Sequence, residues 1–159
     1  AIQEGKYIQS FPEFGPERMG APVNAFTRIS DEAINLHCTI YAPDAVAVLD
    51  PTLLKTVPVT EGLKKDGVLV INTRETPAQL AKQLNFPKQQ LWTISATDIA
   101  VEILGRPITN TAMLGAIARA AELVSLKSIK EAVKERFPLK IAERNMEIVE
   151  RAYNEVRSG

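Results

Sequence analysis

Apolar and polar positions change rhythm along this 159-residue chain. At first the period is close to two. Tyr7-Ile8-Gln9-Ser10-Phe11 is a β-prone run stopped by Pro12, and residues 23–30 alternate in part through Val23, Ala25, Phe26 and Ile29. Ile34, Leu36, Cys38 and Ile40 then alternate with Asn35, His37, Thr39 and Tyr41, which predicts a strand with one buried face. The next runs, Ala45-Val46-Ala47-Val48-Leu49 and Val68-Leu69-Val70-Ile71-Asn72, are continuously apolar. Such runs fit strands covered on both faces, as in a parallel sheet between helices. Turn chemistry precedes each (Pro43-Asp44, Lys65-Asp66-Gly67) and a polar exit follows each (Asp50-Pro51, Asn72-Thr73-Arg74).

Residues 53–63 read as a helical segment broken by Pro58, and Leu91-Trp92-Thr93-Ile94 as one more strand. Thr76-Pro77 opens a helix to about Leu84, threonine as cap and proline at the first helical position. From residue 97 the period is helical. Thr97 or Asp98 caps residues 99–104, which Gly105 and Pro107 end. Asn110 or Thr111 caps 112–123, Ser125 caps a helix to Phe137, and residues 139–156 place Ile141, Ile148, Val149, Ala152, Tyr153 and Val156 near one stripe. Strand–helix alternation followed by helices predicts a three-layer α/β/α fold, and the alternating early strands predict a mixed, partly parallel sheet. With no repeat, low-complexity tract or linker, residues 1–159 are expected to form a single domain. Ala1-Ile2-Gln3-Glu4-Gly5 resembles the last turn of a helix with its glycine stop, so a preceding segment is expected.

Composition narrows the chemistry. Nineteen basic residues balance nineteen acidic ones and the pI is near 6.9, which argues against nucleic-acid partners and a polybasic membrane patch. No apolar run approaches the ~18 residues of a membrane span, and there is no signal-peptide layout, so a cytoplasmic location is expected. A lone cysteine, Cys38, excludes an intrachain disulfide, a cysteine-ligated iron–sulfur cluster and a structural zinc site on this chain. Cys38 falls on the apolar side of its run, where a free thiol acts as a small hydrophobe. His37, the only histidine, lies on the polar side with no base or orienting partner evident. There is no G-x-G-x-x-G and no phosphate-binding P-loop. No catalytic residue and no metal ligand is assigned.

Two constellations remain. Phe11-Pro12-Glu13-Phe14-Gly15-Pro16-Glu17-Arg18-Met19-Gly20-Ala21-Pro22-Val23 joins aromatic, methionine and charged side chains in a proline-stiffened loop. It is either a rigid surface turn or a docking loop whose prolines reduce the entropy lost on binding. Gly105-Arg106-Pro107-Ile108-Thr109-Asn110-Thr111-Ala112-Met113-Leu114-Gly115-Ala116 places capping residues at a helix start and a glycine inside the helix. Capping explains the first feature. An anion at the helix N-terminus, with close backbone approach at Gly115, is the alternative.

With Gly5-Lys6-Tyr7, Ala25-Phe26-Thr27-Arg28-Ile29, Thr97-Asp98-Ile99-Ala100 and Asn145, these segments resemble the gamma subunit, or gamma domain, of the 2-oxoacid:ferredoxin oxidoreductases, nearest the pyruvate synthase branch. The resemblance implies a subunit of an enzyme that converts pyruvate and coenzyme A to acetyl-coenzyme A, CO2 and reduced ferredoxin, or the reverse. It implies alpha, beta and delta-type partner chains that hold thiamine pyrophosphate, Mg2+ and [4Fe-4S] clusters, with ferredoxin as acceptor. This chain would contribute to assembly and to the coenzyme A side of the site through Glu13, Glu17, Arg18, Gly20, Asn110, Thr111 and Gly115. Family members begin with a strand and a glycine-rich loop close to G-R-G-G-Q-G, which this sequence lacks, so an N-terminally truncated gamma domain is expected. A free-standing α/β binding or assembly module without redox partners is the alternative.

Overall fold

In a computed structural model, which describes residues 1–13 and 21–159, contacts divide the chain into two compact units, Ala1–Tyr41 and Ala42–Gly159. The first opens with a 3-10 turn, Ile2–Glu4, which Gly5 ends at φ 75°, a backbone angle that glycine adopts without steric cost. β1 (Tyr7–Glu13) then pairs antiparallel with β2 (Asn24–Ser30), from Tyr7 opposite Ser30 to Glu13 opposite Asn24. One face carries Phe11 against Phe26, ring centroids 5.4 Å apart, with the Arg28 guanidinium 5.7 Å from the Phe11 ring. The other carries Ile8 opposite Ile29, and Ser10 hydrogen-bonded to Thr27. Such cross-strand pairs set the register. No described residue of this unit is buried.

Residues 34–41 depart from the expected strand and are irregular. Their carbonyls take side-chain donors in place of a ladder. Gln9 Nε2 donates to Leu36 O at 2.7 Å, while Arg28 Nη2 donates to Cys38 O and, at 3.3 Å, to Thr39 O. Backbone groups satisfied in this way need no neighbouring strand. Leu36 is 60% exposed and Cys38 is exposed, so the alternation does not mark a buried face.

The second unit is built on a four-stranded sheet. β3 (Ala45–Val48), β4 (Val68–Asn72) and β5 (Leu91–Ile94) are parallel, and β6 (Arg157–Ser158) pairs antiparallel with β5, in the order β3-β4-β5-β6. The sheet is mixed, as expected, but for a different reason: its antiparallel member is the C-terminal strand, while the early strands pair in a sheet of their own. Leu69, Val70 and Ile71 have no exposed surface. Leu69 and Ile71 pack with Val48, Leu80 and Leu91 under α1 (Pro77–Leu84) and a 3-10 turn, Pro51–Lys55. On the opposite face Val70 and Ile94 pack against α2 (Ala96–Leu104), α3 (Asn110–Ala121) and α5 (Leu139–Glu155). α4 (Leu126–Arg136) covers α3 and α5 through Ile129 and Val133.

Helix starts follow capping chemistry with instructive exceptions. Thr76 and Gln79 form a reciprocal capping box with Pro77 in the first turn, and the Ser125 side chain accepts from Ser128 N. α2 begins at Ala96, ahead of the expected caps, because Thr97 bonds to a neighbouring strand end. α3 begins at Asn110 with Thr109 at the cap position. The expected broken helix over 53–63 is only the short 3-10 turn followed by tight turns.

α3 and α5 run parallel at close range. A Cβ on Gly115 would overlap the Val149 carbonyl oxygen and lie 3.1 Å from the Val149 carbonyl carbon and Cα. Helix propensity alone predicts that Gly115→Ala stabilises by about 1 kcal/mol. Backbone overlap reverses the sign: the substitution should cost about 1–3 kcal/mol and lower the thermal midpoint. A raised midpoint in a thermal melt would disprove the close-approach account. Thr76→Ala, which removes half of the capping box, should cost about 1 kcal/mol in urea denaturation.

Candidate functional site

Ligands of open parallel sheets bind beyond the carboxyl ends of the strands, where loops and helix N-termini converge. Here β4 ends in Asn72, β3 runs out through Leu49 into Asp50 and β5 into Ser95, and Asn72 ties the β3 and β4 exits together. Only 4% exposed, it donates through Nδ2 to Leu49 O at 2.8 Å and to Thr97 Oγ1 at 2.9 Å, while its Oδ1 accepts from Thr97 N at 3.2 Å. Thr73 N donates to Ile94 O at 2.8 Å. One buried amide thus holds the β3 exit, the β4 end and the first turn of α2 in fixed relation.

Two charged groups lie beside it. Arg74 grips the Asp98 carboxylate with two hydrogen bonds, Nε at 2.7 Å and Nη2 at 2.6 Å. The hydrogen bonds from Arg74 hold the Asp98 carboxyl below its ordinary range, and the carboxylate raises the Arg74 guanidinium. Any stability the pair contributes is therefore present above the ordinary aspartate pKa and lost as pH falls through the lowered value. Both partners are exposed, so that contribution is small. The pair's firmer consequence is geometric, since it joins the β4 exit to the α2 first turn. The Asp50 carboxylate is held below its ordinary range by hydrogen bonds from the Thr52 hydroxyl and backbone N–H. The edge presents oriented donors and acceptors suited to polar recognition. Among the described residues no three His, Cys, Asp or Glu side chains are grouped to hold a metal ion.

Of the residues singled out from sequence, Asn110, Thr111 and Gly115 come together along α3. Thr111 Oγ1 donates to Asn145 Oδ1 at 2.9 Å, Asn145 Nδ2 donates to Ile141 O at 2.9 Å, and Asn110 Oδ1 accepts from Thr111 N at 2.9 Å. Thr111 and Asn145 are buried, and Asn110 is exposed. The Thr111 hydroxyl therefore faces the interior and sets α3 against α5, leaving Asn110 as the outward group. α2 lies between this helix start and the Asn72 edge along the chain, and no described hydrogen bond or ion pair joins them. Glu13 is exposed at the end of β1 in the first unit. Glu17, Arg18 and Gly20 lie outside the described residues.

Sequence reasoning passed over Asn72 and Arg74 as candidates. Their signal was the polar exit that ends a continuously apolar strand, which marks a position needing hydrogen-bond partners at the border of the core. Asn72→Ala strands the Leu49 carbonyl and the Thr97 N–H and hydroxyl. It should cost about 2–3 kcal/mol, measured by urea denaturation; a cost within experimental error would show that the strand ends do not depend on this amide.

Comparison with known proteins agrees with this fold. A family model described as pyruvate ferredoxin/flavodoxin oxidoreductase matches residues 1–155. The chain is 51% identical over 154 residues to the pyruvate/ketoisovalerate oxidoreductases common subunit gamma of Thermococcus kodakarensis, covering 97% of this chain and 83% of that one. It is 50% identical over 156 residues to pyruvate synthase subunit PorC of Methanocaldococcus jannaschii, covering 98% and 84%. Among solved structures, the pyruvate oxidoreductase subunit PORC of Thermotoga maritima superposes with a TM-score of 0.83 at 39% identity, covering 98% of this chain and 83% of that one. The resemblance read from residues 11–23 and 105–116 is thereby borne out: the chain belongs to the pyruvate ferredoxin/flavodoxin oxidoreductase family.

Proposed function

We propose that this chain is the gamma subunit of a 2-oxoacid:ferredoxin oxidoreductase that converts pyruvate and coenzyme A to acetyl-coenzyme A, CO2 and reduced ferredoxin, or runs the reverse. The observation that carries this reading is the near full-length match, at about half identity, to relatives named as gamma subunits of such enzymes. The electron path and the carbon chemistry belong to thiamine pyrophosphate, Mg2+ and [4Fe-4S] clusters in alpha, beta and delta-type partner chains. The described residues of this chain, with one cysteine and no grouped metal ligands, do not fit a cluster site. No helix among the described residues is long and apolar enough to cross a membrane, which accords with a cytoplasmic complex.

The role of this chain is then assembly and the coenzyme A side of the active site. That no described residue of the first unit is buried supports the assembly part, because a two-stranded hairpin is at best marginally stable in water. On this reading Glu13, Glu17, Arg18 and Gly20 contact the catalytic chains, Arg18 pairing with a carboxylate or phosphate. Asn110 is an exposed polar group at the start of α3, and Thr111 and Gly115 hold that helix in place. A wider reading is favoured by the name of the Thermococcus kodakarensis relative, a subunit common to pyruvate and ketoisovalerate oxidoreductases. This chain would then serve two catalytic assemblies.

Purification of the native complex through a tag on this chain tests the proposal. Reduction of ferredoxin should depend on pyruvate, coenzyme A and thiamine pyrophosphate, and the isolated chain should have none of it. A colourless monomer from its native source would establish the free-standing module instead. Ketoisovalerate-dependent activity in a second co-purifying complex would establish the shared role. Arg18→Ala should weaken assembly or raise the KM for coenzyme A several-fold. Unchanged assembly and kinetics would remove Arg18 from the site.

A further inference from the structure

We propose that the groove between α4 and α5 is a docking site for an acidic amphipathic helix of a partner protein. The groove has a volume of about 370 Å3 and is lined by Leu126, Lys127, Lys130, Glu131, Lys134 and Met146. Lys127, Lys130 and Lys134 follow the i, i+3, i+7 spacing of one helix face, while Ile129 and Val133 turn into the core. α4 carries four basic residues and two acidic ones, while α5 carries three basic and four acidic, so the positive surplus is confined to the α4 wall.

The three lysines differ in what holds them. Lys130 is 2.9 Å from Glu150 across the groove, whereas Lys127 is 4.0 Å from Glu131, the outer limit of an ion pair. Lys134 has no ion pair among the described residues. Two charges are therefore weakly held or unheld around an apolar floor, and lysine stems extend that floor while their ammonium groups stay in water. Leu126 and Met146 supply the floor, and methionine adapts to the shape of an incoming side chain.

These features select the occupant. Lys127 to Lys134 spans about 10 Å, two turns of helix, which matches an inserted helix offering an apolar side chain to the floor and carboxylates to the rim. The groove lining lacks the aromatic platforms on which unpaired bases stack. Facing like charges on the partner would be repelled, so the rim discriminates as well as attracts.

The test uses the purified complex. Zero-length carbodiimide cross-linking joins lysine to carboxylate in direct contact, and peptide mass spectrometry should find Lys127 or Lys134 joined to Asp or Glu of a helical segment in another chain. Lys127→Glu with Lys134→Glu should abolish those cross-links and weaken retention of that chain at least tenfold, and Lys127→Ala with Lys134→Ala should weaken it less. Thermal melts verify that these exposed changes leave the fold intact. Cross-links confined to Glu131 and Glu150 of the same chain would overturn the proposal. Tighter binding of a 20-nucleotide single strand, or of vesicles with 30% phosphatidylserine, to the isolated wild-type chain than to the double Glu variant would overturn it in favour of those partners. Retained pyruvate-dependent activity with unchanged subunit retention in the double variant would sink the docking site and leave the enzymatic reading standing. Interchain cross-links in a complex without 2-oxoacid activity would do the reverse.

Discussion

β4 is buried on both faces, and the second unit is organised around that constraint. Three successive side chains, Leu69, Val70 and Ile71, have no contact with water, so each face of the strand must be covered by a separate layer. α1 and the Pro51–Lys55 turn cover one face, and α2, α3 and α5 cover the other. A strand enclosed in this way must satisfy its polar groups at its end, where Asn72 meets the β3 exit and the first turn of α2. The fold and the geometry of its carboxyl edge thus share a cause: enclosing the strand makes an unpaired amide costly, and pairing it fixes the loops around it.

Close helix packing depends on the same enclosure. The layer of α2, α3 and α5 is built largely from small side chains, among them Ala112, Ala116, Ala142 and Ala152. Gly115 brings α3 against the Val149 backbone, and the Thr111–Asn145 hydrogen bond sets the two helices one turn earlier. A buried polar pair beside a glycine contact specifies the relative rotation of two helices, which apolar contacts alone leave loose. The first unit is stabilised in another way. It has cross-strand pairs and side-chain bonds from Gln9 and Arg28 to backbone carbonyls, and none of its described residues is buried.

Several elements were legible because local chemistry and burial agree. β4 spans residues 68–72, as its apolar run implies, and α1 starts at Pro77 after Thr76 for the capping reason its sequence announces. Ser125 caps α4 likewise. Residues 34–41 misled because alternation records only side-chain character. Whether such a segment becomes a strand depends on a partner ladder, and here distant side chains reach its carbonyls first. The start of α2 was misplaced for a related reason, since Thr97 finds its partner on a strand 25 residues away. β6, only two residues long, carries no periodic signal and exists through its register with β5.

By itself, then, the sequence determined the class of fold, the runs that must be buried, most helix starts and, through two long motifs, the family. Those are properties of neighbouring residues, and spacing records them. The tertiary structure alone decided that the antiparallel strand comes from the C-terminus. It also decided that the Thr111 hydroxyl points inward while Asn110 remains exposed, and that Asn72 joins the strand ends. Each of these outcomes is a hydrogen bond or backbone contact between residues remote in the chain. Their partners are chosen by the packing of whole layers, which local periodicity does not encode.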